Sequence, residues 1–173
     1  MLAQPGRDGV GAKMRGSIEE SSIPTIEGSF IPASVWMEAI KPLFREGYAL
    51  KICPSGRSMI PFIRGGRDEV LLRSAINARL KRGDIVLYTR TDGIHVLHRV
   101  HHIHGELFYL LGDAQTQVEG PLKRSSIQAV AASITRKGRE IKCDNRLYRM
   151  FSSIWLTLRP FRPLILNLYY NHF

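Results

Sequence analysis

Ser58 sits in the run CPSGRSMIP, two residues after Gly56 and three before Pro61. Gly56 permits a sharp backbone turn and Pro61 stiffens its exit, a pattern that would expose the hydroxyl. A serine hydroxyl is a weak nucleophile until a base lies within hydrogen-bond reach, and a serine in such a turn by default serves only the turn. Further along, the run IHVLHRVHHIHG holds His95, His98, His101, His102 and His104. Imidazoles can bind metal or move protons. Strand alternation puts His98, His102 and His104 on one face and His95 and His101 on the other, so a tetrahedral metal set would need a second segment or a bulge. No metal or cofactor is expected. Asp84, in the turn after Gly83, reads as structural, as does Asp68.

Taken in order, S-M-x-P at Ser58, G-D-I-V-L from Gly83, H-R-V from His98 and G-D at Gly112 resemble the peptidase S24/S26 superfamily of signal peptidases and LexA-type repressors. The resemblance covers roughly residues 48 to 142 and is far more specific than any single piece. It implies a LexA/signal-peptidase-like β-fold and a nucleophile at Ser58. Bacterial type I signal peptidases and LexA-type repressors carry a lysine where this chain has His98. A histidine there is similar to the endoplasmic-reticulum and archaeal-type signal peptidases, which use a Ser-His pair. A neutral imidazole, of intrinsic pKa about 6.5, can accept the serine proton without the desolvation that a lysine needs.

The reaction so implied is acyl transfer. Ser58 Oγ attacks a peptide carbonyl, and His98 takes its proton and returns it to the leaving amine. Substrate and oxyanion contacts are expected around Gly56, Met59 and Pro61, with the Ser58 N–H as a donor. Two carboxylates compete to orient His98. Asp113 matches the family's G-D motif and is favoured; Glu119 falls where endoplasmic-reticulum-type enzymes carry an assisting acid and is held in reserve.

The elements that must position these residues are short. The runs YALKIC, DEVLLR, DIVLYTR, IHVLHRVHHI, ELFYLL and IQAVAASITR, separated by Gly, Asp and Pro signals, predict at least six strands. They lack helical crossovers, so the fold is expected to be mainly β and largely antiparallel. A short helix should precede them, capped by Ser34 and ended near Gly47, with Val35, Trp36, Ile40, Leu43 and Phe44 as its apolar stripe and a kink at Pro42. Trp36 reads as core. Residues 1–32, rich in Gly, Ser and Pro, read as a flexible arm, residues 33–143 as the peptidase-like domain, and residues 144–173 as a basic amphipathic helical segment.

The length of 173 residues, 44% of them hydrophobic, suits one domain. Cys53 and Cys143 form no C-x-x-C pair and read as two reduced thiols. The net charge of +10 calls for an anionic partner, and its placement says which: residues 136–162 carry eight basic residues against two acidic ones, beside apolar sequence. That favours an acidic membrane surface over nucleic acid. The C-terminal apolar stretches fall short of the roughly 20 residues that a span requires, and Arg159 and Arg162 would each cost about 2.5 to 3.5 kcal/mol at mid-bilayer. Two readings of residues 144–173 stand equally: peripheral contact with the membrane, with Trp155, Tyr169 and Tyr170 near headgroups, or packing of the segment on the domain or on a partner chain. The N-terminus shows no apolar leader, so a cytoplasmic protein, peripheral at the inner membrane surface, is the expectation.

The leading reading is a signal-peptidase-like serine endopeptidase that takes a peptide or protein substrate and cleaves a peptide or leader laid beside the sheet as an extra strand. A self-cleaving LexA-like regulator is the alternative, although residues 1–47 show no helix-turn-helix. A non-catalytic module that binds acidic lipid or nucleic acid is the other.

Overall fold

The computed structural model describes residues 33–172. The arm expected over residues 1–32 and the side chains of Val35, Trp36 and Tyr170 lie outside the described residues. Helix α1 spans Ala33–Arg45 and contains Pro42 without ending there. The strands are β1 (Leu50–Ile52), β2 (Glu69–Ser74), β3 (Ile85–Thr89), β4 (His95–His104), β5 (Leu107–Leu111), β6 (Glu119–Lys123), β7 (Ile127–Arg136) and β8 (Arg139–Lys142). Helices α2 (Arg146–Thr157) and α3 (Arg162–His172) follow. The protein is mainly β: the strands pair antiparallel in one sheet of order β1-β2-β7-β3-β4-β5-β6, with β8 paired to β7.

The six apolar runs all form strands, and two further strands join them. Neither β6 nor β8 carries the apolar alternation that marks a half-buried strand. Glu119–Lys123 holds Gly120 and Pro121 at the end of the sheet, and all four residues of β8 are exposed. Edge strands of this kind are held by backbone pairing rather than by a buried face. The C-terminal segment also divides. Asn145 caps α2, its side chain accepting from the amides of Leu147 and Tyr148. Pro160 and Pro163, which lack N–H donors, fall where one helix stops and the next begins, and a 3₁₀ turn at Arg159–Phe161 joins the two.

Strand β3 runs through the centre of the sheet and is buried on both faces. Ile85 and Leu87 join a core of Ile40, Phe44, Val70, Leu72 and Ile134, whereas Val86 and Tyr88 pack with Val100, Phe108 and Leu110. A third cluster, Ile60, Trp155 and Leu166, fastens α2 and α3 onto the segment after Ser58, and Trp155, with its indole N–H donating to the Asp113 carbonyl, packs on the domain instead of standing near headgroups.

The tie that fixes the site's frame is ionic and fully buried. Arg99 on β4 donates from Nε and Nη2 to the two carboxylate oxygens of Asp113, at 2.9 and 2.7 Å. The same guanidinium donates to the Gly83 carbonyl, Ser152 Oγ and Tyr148 Oη, and lies 4.7 Å from the centre of the Phe62 ring. Burial opposes the charge on Arg99, and Asp113 outweighs it, raising the guanidinium pKa above its ordinary value. One side chain thus joins β4, the loop after β5, the turn before β3 and helix α2.

Asp113→Ala should therefore leave a buried guanidinium uncompensated and cost about 3 to 5 kcal/mol in urea unfolding. Asp84→Ala removes the partly exposed partner of Arg149 and should cost about 1 kcal/mol or less. Equal losses at the two positions would refute the ranking.

Candidate active site around Ser58 and His98

The backbone reaches Ser58 through a turn in which Gly56 adopts φ +88°, the left-handed region that glycine enters without strain. Two close approaches hold that turn. A Cβ at Gly65 would collide with the Gly56 backbone, and one at Gly112 would lie 2.8 Å from the Ser58 carbonyl oxygen. That carbonyl accepts from the Ala114 amide at 2.8 Å, so the loop carrying Asp113 also fixes the serine. Ser58 is half-buried and lines a cleft of about 510 Å³ together with His98, Gly56, Met59, Cys53 and Gln115. Sequence-distant segments thus bring the expected nucleophile and the expected base to one cavity.

His98 lies opposite Val86 in the β3–β4 pairing and is 0% exposed. Its Nδ1 stands 3.1 Å from Tyr88 Oη and 3.5 Å from Glu119 Oε1. Tyr88 donates its only hydroxyl proton to the Glu119 carboxylate, so its oxygen accepts from His98. This pattern assigns the imidazole proton to Nδ1 and leaves the Nε2 lone pair free. Nε2 is buried and finds no hydrogen-bond partner among the described residues. Glu119 is in turn clamped by Arg90, whose Nε donates at 2.7 Å and whose Nη2 makes a second, shorter bond.

The electrostatics follow from burial. Removal from water pushes His98 down to about 4; Glu119 opposes this shift, and Arg90 adds to it. For Glu119, burial would raise the carboxyl, but the bonds from Arg90 and Tyr88 hold it below the usual carboxylate range. Burial and the same carboxylate push the Tyr88 hydroxyl well above its ordinary value. At neutral pH the imidazole is therefore uncharged, the carboxylate ionised and the phenol protonated.

Of the two candidate orienting acids, Glu119 is the one set against His98 Nδ1. Both oxygens of Asp113 are occupied by Arg99, which makes Asp113 a holder of the frame. Gly56 and Met59 line the cleft as expected, but Pro61 lines a separate groove with Phe62 and Leu147, and its carbonyl accepts from Arg136. Asp84 accepts from the Lys81 amide and pairs with Arg149. Asp68 holds Arg67 and Arg136. Both are structural. Among the described residues, no group of three or more His, Cys, Asp or Glu side chains could hold a metal ion. The register shift between Val100 and His102 breaks the histidine alternation, and His102 stacks on Tyr109 at 4.2 Å.

Tyr88, Arg90 and Gln115 were not legible as site residues. A signal existed for Tyr88: a tyrosine inside a buried strand needs a partner for its hydroxyl. Gln115 lines the cleft, and its buried Oε1 finds no partner among the described residues, as at His98 Nε2. Compared with protein-family models, curated proteins and solved structures, the chain matches none.

The depressed imidazole pKa links folding to pH. An unfolded histidine titrates near about 6.5, so between that pH and about 4 the unfolded chain binds the extra proton and stability falls as pH falls. The full effect is on the order of 3 kcal/mol. Urea midpoints measured from pH 7 to pH 4 should drop more steeply for wild type than for His98→Gln. Parallel slopes would show that His98 is not held neutral by burial.

Proposed function

We propose that this protein is a serine endopeptidase of the signal-peptidase and LexA type, which cleaves a peptide or leader segment with Ser58 as nucleophile and His98 as base. The observation that carries this reading is the state of His98. Its Nδ1 proton is engaged by Tyr88, Glu119 backs that bond, and the unpartnered Nε2 belongs to a residue lining the same cleft as Ser58. A base that is to take the serine proton needs its ring held through one nitrogen and the other nitrogen available, and the hydrogen bonds of His98 support that arrangement.

In this mechanism Nε2 takes the Ser58 proton as Oγ attacks the carbonyl carbon. The proton then passes to the leaving amine, the acyl-enzyme forms, and water attacks it with His98 acting again as base. Burial makes the transient imidazolium costly. Glu119 offsets that cost as charge develops, and Arg90 moderates it by compensating the carboxylate at rest. Tyr88 and Glu119 act through His98 and are positioning residues. Ile52, Ile63, Leu87 and Leu97 line the cleft and supply an apolar wall for substrate side chains.

The test joins a serine-directed fluorophosphonate, read by intact mass, to cleavage of a peptide library. Wild type should label and cleave, Ser58→Ala and His98→Ala should do neither, and all should keep wild-type circular dichroism. Folded wild type inert in both assays would sink the peptidase reading.

Positioning makes a separate demand. Tyr88→Phe removes the acceptor of the Nδ1 proton and should lower kcat about 10²-fold, with KM changed far less. An unchanged kcat would remove Tyr88 from the mechanism.

A further inference from the structure

Helix α2 turns one face to the domain and leaves the other uncovered. Ser152, Trp155 and Leu156 are buried, whereas Leu147, Met150, Phe151 and Ile154 are 64%, 49%, 57% and 49% exposed. Positions 147, 150, 151 and 154 follow the i, i+3, i+4, i+7 spacing of a single helical stripe. The stripe does not end at the helix. Leu147 and Phe151 also line an open groove of about 800 Å³ with Ile141, Phe62 and Tyr148. On α3, Leu164 and Leu168 are exposed as well, and Phe161 precedes them in the joining turn. Contiguous apolar surface of this kind marks a site that meets another apolar phase.

Charge borders the stripe on both sides. The groove beside Leu147 and Phe151 includes Lys142 and Arg136 together with the exposed acids Glu140 and Asp144, and a second hollow, beside Met150, is lined by Arg82, Arg146 and Arg149, so the cations outnumber the acids around the stripe. Some of these cations are spent within the fold. Arg136 pairs with Asp68 and Arg149 with Asp84, while Arg162 is buried against the carbonyls of Gly112, Gln115 and Trp155. Lys137, Arg139, Lys142 and Arg146 are exposed and form no ion pair among the described residues. An apolar stripe between unpaired cations fits a surface that is apolar in depth and anionic at its boundary.

We propose that the exposed stripe of α2, with its flanking Lys142 and Arg146, docks the protein onto an anionic lipid bilayer, Leu147 and Phe151 entering the headgroup–acyl boundary. No described helix is long and apolar enough to cross a membrane, so the contact is interfacial. A second copy of the chain fits the same stripe less well, because each copy carries a net charge of +10 and the unpaired cations would face one another. The stripe is remote in role from Ser58 and His98, so this inference stands whether or not the cleft is catalytic.

The experiment is flotation of the full chain with vesicles of phosphatidylcholine alone or of phosphatidylcholine mixed with phosphatidylserine, with light scattering on the free protein. Wild type should bind the mixed vesicles at least about tenfold better than the neutral ones and lose binding as salt rises. The double variant Leu147→Ser/Phe151→Ser should lower binding by more than about tenfold, and Lys142→Glu/Arg146→Glu should abolish the preference for phosphatidylserine. All four positions are exposed, so folding should persist, as checked by thermal unfolding. The proposal is overturned if the apolar double variant binds as wild type does, if neutral vesicles bind equally well, or if wild type is a dimer that this variant dissociates.

Discussion

The buried pair of Arg99 and Asp113 is the constraint on which the remaining geometry rests. Two charges removed from water are expensive, and their attraction offsets that cost only when every remaining donor finds an acceptor. Arg99 meets the condition with Gly83, Ser152 and Tyr148. Its partner lies between Gly112, whose missing Cβ admits the Ser58 carbonyl, and Ala114, whose amide bonds that carbonyl. The position of the Ser58 turn is thus a consequence of where Asp113 is held. A purely apolar junction could be as stable, but it would not fix the loop to a direction in the way a bidentate guanidinium does.

Strand alternation then does the remaining work. His98 and Arg99 are neighbours on β4, so their side chains leave opposite faces of the sheet. Arg99 meets Asp113, Tyr148 and Ser152; His98 meets Tyr88 and, behind it, Glu119 held by Arg90. Two carboxylates therefore serve two cations on two faces without competing. Burial keeps His98 neutral, and Arg90 assists by compensating the carboxylate that would otherwise pull its pKa upward.

The same separation explains what could be read from the sequence. The six apolar runs were legible because period-two burial is written directly into residue type, and the Ser58 turn because Gly56 punctuates it. Strands β6 and β8 were not, since exposed edges need no apolar pattern. The choice between Asp113 and Glu119 was likewise beyond the sequence. A G-D motif identifies a carboxylate needed near β4, but only the face on which it arrives decides whether it meets His98 or Arg99. The extra residue at the Val100–His102 bulge defeated simple alternation for the later histidines.

Charge shows the same limit. Eight basic residues between positions 136 and 162 pointed to an anionic partner, yet Arg136, Arg149 and Arg162 are consumed by internal carboxylates and carbonyls. Arg162 in particular cannot face lipid, because it braces the loop of Gly112 and Gln115 from the far side. What remains exposed is a smaller set around the α2 stripe. The chain between positions 58 and 62 separates the two surfaces: Ser58 and Met59 face the cleft, whereas Pro61 and Phe62 line the groove that continues into Leu147 and Phe151. Phe62 also lies against Arg99. The guanidinium that seats the serine loop therefore also supports the wall of the apolar groove, and neither surface can shift without disturbing the pair beneath both.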